Sequence, residues 1–339
     1  MSTARARLLV AEEDSQLALP GLDSESEWTW TQVEEETTLD RFEHTTVMRE
    51  ETVRALAVRD GGTYVDATLG GGGHAEAILE SAETARVIGI DRDTIALEAA
   101  RIRLERFGER VTLIHDAFGN LKSALVAHGI GRVDGVCADL GVSSPQLDEA
   151  ERGMSFRREG PIDMRMNTTE GETALEMIAR MDNEELANVI FKYGEERRSR
   201  RIARSIKRAH DEGELHTTLD LRRAIVRATG PVRHGGVDPA TRTFQGIRIA
   251  VNAELDQLEA LLTALPDVVA PDGVAAIISF HSLEDRLVKH AFHVRETWAP
   301  LWKKPLGASA DEQTANGRSR SAKLRAARLL APADLEGEP

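Results

Sequence analysis

Between about residues 63 and 145, short apolar runs alternate with stretches in which apolar residues recur every three to four positions. "TYVDATL" (63–69), "ARVIGIDRD" (85–93), "RVTLIHDAF" (110–118) and "RVDGVCADLG" (132–141) are brief and rich in β-branched residues, and they predict buried strands. The spacing predicts helices over 74–82, 94–107 and 119–128, so the pattern is that of an α/β protein with a parallel sheet and crossover helices. After about residue 145 the strands stop, and the chain reads as helical and charged to about Thr243. "FQGIRIAVNAELDQLEALLTAL" (244–265) carries one apolar stripe and predicts a single long helix. "GVAAIISF" (273–280) then predicts a late strand and "SLEDRLVKHAF" a helix. The simplest topology is one α/β domain interrupted by a helical insertion.

Composition changes this picture little. Of 339 residues, 41% are hydrophobic and 29% charged, which suits a globular protein with a core. There is no membrane-length apolar run and no secretory leader pattern. The one cysteine, Cys137, excludes an internal disulfide framework. These features predict a cytoplasmic protein.

Charge adds more. The net charge is −14, but residues 1–43 hold eleven acidic residues against three arginines, so most of the excess lies there. That segment has little apolar periodicity and predicts an acidic extension without a packed core. Its "WTW" (Trp28 and Trp30) predicts a tail resting on the folded body. Two stretches run the other way. "RRSRRIARSIKR" (197–208) holds seven basic residues and "RSRSAKLRAAR" (318–328) five, neither with an acid. Ile202 and Ile206 form a narrow seam on the first, so its arginines, Arg197, Arg198, Arg200 and Arg201 among them, should face outward, where nucleic-acid phosphates would be held. The second stretch is expected to do the same.

The candidate chemistry starts at "VDATLGGGGHAEA" (65–77). Four glycines follow a strand and open a helix, the context of a nucleoside- or phosphate-binding turn. Gly70, Gly72 and Ala75 satisfy a dinucleotide pattern, so a nicotinamide cofactor and S-adenosylmethionine (SAM) both remain open at this point. Asp91, ending the second strand, would grip ribose hydroxyls in either case. Asp66, ending the first, suits the cationic amino-acid end of SAM and would repel a pyrophosphate, although Thr68 stands where a further glycine often does. At the end of the fourth strand, "ADLGVSSPQLD" (138–148) places Asp139 before Ser143, Ser144, Pro145 and Gln146. An exocyclic amine is a weak nucleophile, and an acceptor for its N–H bond restores nucleophilicity. Amino-methyltransferases of nucleic acids use a short Pro-containing loop at this place. Carbon methylation would need a cysteine nucleophile, and Cys137 reads as packing inside the strand.

Taken with "HTTVM" (44–48), "GPIDMRM" (160–166), "YGEE" (193–196), "ATRTFQGIRI" (240–249), "SFHSLEDR" (279–286) and "RSRSAKLRAA" (318–327), these motifs resemble the RsmH (formerly MraW) family. Those are SAM-dependent methyltransferases acting on the N4 amine of a 16S rRNA cytosine at the decoding centre of the small ribosomal subunit. The resemblance implies a Rossmann-like class I SAM-dependent methyltransferase domain (44–145 and 244–330) with an inserted helical substrate domain (146–243), flanked by the extension 1–43 and a tail 331–339. It implies that Gly72, Gly73 and His74 line the methionine end of SAM, Asp91 holds the ribose, Phe118 lies against the adenine, and Asp139 and Gln146 complete the site. Asp163, Arg165, Arg242 and Phe244 become candidates to hold the base or its phosphates. His281 is expected on the substrate side or in a structural role. Direct in-line transfer needs no metal and no covalent enzyme intermediate. A homodimer stays open. A DNA amino-methyltransferase, a nicotinamide enzyme and a non-catalytic RNA-binding factor share parts of the pattern.

Overall fold

The computed structural model describes residues 46–230 and 238–331. The acidic extension with Trp28 and Trp30, and nearly all of the C-terminal tail, lie outside the described residues.

A single sheet organises the fold. Its strands are β1 (Thr63–Asp66), β2 (Arg86–Asp91), β3 (Val111–His115), β4 (Val133–Asp139), β5 (Val269–Ser279), β6 (Trp298–Pro300), β7 (Leu306–Gly307) and β8 (Lys323–Leu329). Their order across the sheet is β3-β2-β1-β4-β5-β8-β6, with β7 also paired to β8. The first five run parallel, and β8 enters antiparallel to β5. This is a doubly wound, Rossmann-like arrangement, as the alternation of strands and helices predicts. The strand order reverses between β1 and β4, and in open α/β sheets a ligand crevice forms at the carboxyl ends of the strands at such a point. Asp66, Asp91 and Asp139 are the last residues of β1, β2 and β4.

β8 corrects the expectation of an outward basic arm. In "KLRAARL" the basic residues interrupt a strand whose Leu324, Ala326, Ala327 and Leu329 are buried. Four of the five basic side chains of 318–328 are also committed, Arg320 staying exposed. Lys323 and Arg325 meet Asp285 at 3.2 and 2.7 Å, Arg318 meets Asp148 at 2.9 Å, and Arg328 pairs with Asp272.

The helices are α1 (Arg49–Leu56), α2 (Gly73–Ser81), α3 (Thr94–Leu104), α4 (Leu121–Ala127), α5 (Ser144–Asp148), α6 (Ala174–Arg180), α7 (Asn183–Gly194), α8 (Ser199–Asp211), α9 (Thr218–Thr229), α10 (Ala240–Asn252), α11 (Glu254–Val268), α12 (Ser282–Ala291) and α13 (Ala310–Ala315). One core packs α4, α11 and α12 on one face of the sheet; a second packs α1, α2 and α3 on the other. A third is built wholly from residues between Met154 and Ile247, largely on α6–α10. Among the described residues no helix is long and apolar enough to cross a membrane.

The single helix expected over 244–265 is two. Ala253 adopts φ 49°, in the left-handed region, and ends α10 just before α11 begins. Asn252, beside the break, is buried. Its amide donates to the Met164 carbonyl and its Oδ1 accepts the Met166 N–H, each at 2.7 Å, which ties the break to the insertion.

Candidate cofactor and substrate cleft

An open cleft of about 1180 Å³ lies at the carboxyl ends of β1, β2 and β4. The glycine run forms its floor, and each glycine serves a different need. Gly70 (φ 51°) turns the chain so that its N–H donates to Asp91 Oδ2 at 2.7 Å. Gly71 lines the cleft, and its carbonyl accepts from Arg103 at 3.0 Å. Gly72 (φ 82°) starts α2 in a left-handed conformation, and a Cβ there would sit 3.3 Å from Ala100 and Leu104 of α3. It does not line the cleft, so the role implied for it passes to Gly71, which the sequence reading missed. At Gly73 a Cβ would fall 1.8 Å from Thr46 Oγ1, so only glycine lets the chain at Thr46 and Val47 close that wall. Thr68 has its own use: its hydroxyl accepts the Asp139 N–H at 2.6 Å and locks the loop to the end of β4.

The carboxylates differ in placement. Asp91 lines the cleft; burial pushes its pKa up to about 6, against hydrogen bonds from the Asp93 and Gly70 backbone N–H groups that lower it. Asp139 also lines the cleft, and its buried Oδ1 has no hydrogen-bond partner. Asp66 does not line it. It is 0% exposed behind the wall, and burial raises its pKa to about 6. The expected direct contact of Asp66 with a ligand is therefore corrected, because β1 ends one residue before the cleft surface begins at Ala67. His74, on α2, lines the cleft with its Nε2 3.8 Å from Asp139 Oδ2. Burial alone would lower its pKa, but the carboxylates of Asp139 and Asp66 outweigh burial and hold it above the ordinary value.

The loop after β4 is pinned from below. Ser143 and Gln146 line the cleft, and the Ser143 N–H donates to Gln146 Oε1 at 3.1 Å. Gln146 donates its side-chain amide to Asp93 Oδ2 at 2.9 Å, and the same oxygen accepts from Arg152 at 2.7 Å. Asp93 and Arg152 are both buried, and Arg152 also donates to the Met166 carbonyl at 2.6 Å. Asp93 in turn caps α3 through the Ile95 N–H. One buried knot thus joins loop, sheet and insertion. The side chains of Ser144 and Pro145 lie outside the described ones. Phe118 opens a short 3-10 helix after β3 and lines the cleft, partly buried against the first core.

The substrate-side candidates divide. Among the described residues, the guanidinium groups of Arg197, Arg200 and Arg201 are exposed and none has a protein partner, while Ser199, Ile202, Ala203, Ile206 and Ala209 of α8 are buried. Arg198 is exposed but donates to the Thr229 carbonyl at 2.7 Å, and Arg242 reaches the Glu195 carbonyl at 3.4 Å. Arg165 is corrected. Its nitrogens are spent on Asp163, twice at 2.8 Å, and on the Glu170 and Gly171 carbonyls, so it braces its own loop. Phe244 is core, edge-on to Phe156 at 5.0 Å. Of the two roles expected for His281, substrate-side or structural, the geometry supports the structural one. His281 does not line the cleft, and it caps α12, its Nδ1 accepting the Glu284 N–H at 3.3 Å.

Among the described residues, Glu254, His281 and Glu284 are the only His and carboxylate group close enough to hold a cation. Arg248 already grips Glu254 with two hydrogen bonds of 2.8 Å. The cap also places the ring proton of His281 on Nε2, the nitrogen a cation would need. The donor set is that of an ion-pair knot.

Glu254, Leu258 and Asn316 complete the cleft from distant parts of the chain with no motif pointing to them, and Arg318, from the basic stretch 318–328, lines it as well. The sequence profile of the MraW methylase family matches residues 41–330. Curated relatives called "Ribosomal RNA small subunit methyltransferase H" match at 62% identity in Sorangium cellulosum and 48% in Synechococcus elongatus, covering 86% of this chain and 92% and 96% of theirs. A relative of the same name in Rhodopseudomonas palustris is 47% identical over 87% of this chain and 94% of its own. The chain belongs to the MraW methylase family.

Proposed function

We propose that this protein transfers a methyl group from SAM to the exocyclic N4 amine of a cytosine in 16S rRNA, at the decoding centre of the small ribosomal subunit in the cytoplasm. The observation that carries the reading is Asp139: a carboxylate at the strand-order reversal, with a buried oxygen left unpaired on the cleft wall next to the Ser143–Gln146 loop. A buried polar atom without a partner asks for one from a ligand, and an amine N–H fits.

The cleft residues fit SAM. Asp91 would hold the ribose hydroxyls, Phe118 would lie against the adenine, and the Gly71, Gly73 and His74 wall would take the methionine end, all of them lining the cleft. Bound SAM supplies an electrophilic methyl on a cationic sulfur. The chain supplies position and charge. Asp139 accepts an N–H of the amine, draws electron density toward the nitrogen and turns its lone pair toward the cofactor side. The knot of Gln146, Asp93 and Arg152 holds the loop that orients the base. Holding both reactants in attack geometry contributes roughly 7–11 kcal/mol at best.

The division into a methyltransferase part (44–145 and 244–330) and a helical substrate part (146–243) is supported by the separate core of Met154 to Ile247. On the helical part, Arg197, Arg200 and Arg201 would meet rRNA phosphates. Unpaired bases in RNA loops are accessible to such enzymes, and the target would be turned into the cleft.

The test incubates the protein with methyl-labelled SAM and small subunits from cells lacking this methylation, followed by nucleoside analysis. Label on a cytosine exocyclic nitrogen, lost in Asp139→Ala, is expected. Label elsewhere, or none despite SAM binding, overturns the substrate assignment.

A further inference from the structure

Seven buried side-chain nitrogen and oxygen atoms among the described residues lack a hydrogen-bond partner. Four of them sit together: Asp66 Oδ2, both ring nitrogens of His74, and Asp139 Oδ1. Buried polar atoms are rarely left so, and of these three titratable side chains His74 and Asp139 line the cleft while Asp66 is buried behind them. His74 is 5% exposed and Asp66 0%. The other charges facing them are few. Arg49 of α1 opposes a proton on His74 but is held by Glu80 at 2.6 Å, and Asp91 lies beyond Asp66. On the other side of α2, Arg106 is taken up by Glu76 and Glu80. The Thr68 N–H donates to Asp66 Oδ1 at 3.3 Å, but no hydrogen bond links the three side chains to one another.

The proposed reaction has a proton to place. The amine lone pair forms the N–CH3 bond as the S–CH3 bond breaks, its electron pair staying on sulfur. The nitrogen then carries one hydrogen too many, and one N–H bond must release a proton to a base. We propose that Asp139, His74 and Asp66 form a proton-accepting relay: Asp139 Oδ1 takes the proton from the amine, and His74, backed by Asp66, stores it. This rests on the methyl-transfer reading above.

The charge change in the ligand sets the direction. SAM brings a positive charge beside the cluster, which favours loss of the proton from His74 to solvent and leaves a neutral base. Transfer removes that charge from sulfur, and His74 regains its affinity for a proton at the moment the amine must shed one. Burial of Asp66 and His74 strengthens this response, because charges interact more strongly away from water. Both groups hold a proton more tightly than usual: burial raises Asp66, and the carboxylates of Asp139 and Asp66 raise His74 against its own burial.

Calorimetry in two buffers of different ionisation enthalpy counts the protons exchanged when the full-length protein binds SAM or S-adenosylhomocysteine at pH 7. The amino-acid end is common to both ligands and cancels. SAM is expected to release about one proton more than S-adenosylhomocysteine. His74→Gln is expected to abolish the difference. Equal proton counts for the two ligands, or a difference that persists in His74→Gln, overturns the relay. Failure to bind SAM at all would instead overturn the methyl-transfer reading. Should the variant not fold, imidazole nitrogen NMR of His74 in the unaltered protein decides. Imidazolium alone, neutral with SAM and imidazolium with S-adenosylhomocysteine supports the relay; one unchanging state refutes it.

Discussion

The Nε2 of His74 stands 3.8 Å from Oδ2 of Asp139, too far for a hydrogen bond and close enough for each charge to be felt by the other. Asp66 lies behind them with an unpaired oxygen. The folded state therefore holds three charged or chargeable side chains close together with no hydrogen bond between them.

Protein stability without ligand should fall as pH rises through this cluster. Burial raises the Asp66 pKa from 3.8 to about 6, so the folded state binds the extra proton more tightly than the unfolded one. The cost of ionising it appears as pH rises from 3.8 to about 6 and persists above. His74 is raised by its carboxylates, so its stabilisation is complete below its unfolded value and lost as pH rises through the folded one. Both slopes have the same sign. Asp66→Asn removes the first and is expected to stabilise the protein by roughly 1–2 kcal/mol at pH 7.5, after discounting the lost attraction to His74. At pH 4 it should change little. Urea unfolding at the two pH values measures the difference.

The sheet centre was legible because β1, β2 and β4 are buried and read as apolar runs, and because the glycine turn and Asp91 sit at the strand ends where the sequence expected them. β8 was not, since Lys323, Arg325 and Arg328 mask a strand between buried Leu324, Ala326 and Leu329 and borrow their counter-charges from Asp285 and Asp272. Nor was the break at Ala253. A continuous apolar stripe carries no signal for one residue in the left-handed region. Asn316, Arg318 and Leu258 reach the cleft only through tertiary packing. His281 stayed open between two roles because a His beside two acids looks the same in sequence whether it caps a helix or faces a ligand.

Arg197, Arg200 and Arg201 have no protein partner to lose, so their replacement by Gln should leave stability and SAM affinity unchanged. Binding to small subunits should weaken. The slope of log K against log salt should fall by roughly 0.7–0.9 for each phosphate contact removed. Filter binding over a salt series checks this. An unchanged slope would place the RNA face elsewhere.

Arg152→Met leaves the buried carboxylate of Asp93 without its 2.7 Å counter-charge. A loss of about 3–5 kcal/mol in unfolding free energy is expected. The double variant Asp93→Asn with Arg152→Met should recover part of it, because the stranded charge is gone. Any folded fraction of the single variant should bind SAM more weakly, since Gln146 shares the Asp93 oxygen. Denaturant titration of the three proteins and SAM calorimetry on them test the knot.

Gly73→Ala puts a Cβ 1.8 Å from Thr46 Oγ1 and 3.0 Å from its Cβ. Rotating the hydroxyl away does not relieve the second contact, so the chain at Thr46 and Val47 must move off the cleft wall. SAM affinity should drop by about tenfold, equivalent to ~1.4 kcal/mol. Thr46→Gly in the same protein should restore most of the loss. Calorimetry on the pair separates this steric account from a direct loss of ligand contact, which the second substitution could not repair.

His281 provides the sharpest contrast between a structural and a chemical role. Its backbone N–H donates to Glu284 Oε2 at 3.2 Å while its Nδ1 accepts the Glu284 N–H, a reciprocal cap on α12. Its side chain does not reach the cleft wall. His281→Asn keeps a capping acceptor and should retain both stability and turnover. His281→Ala removes the cap and is expected to cost roughly 1 kcal/mol of stability. At temperatures where the protein remains folded, its kcat and the pH profile of kcat should match the unaltered enzyme. A shifted pH profile in His281→Asn would mean that this imidazole handles protons in the reaction, and the capping account would fall.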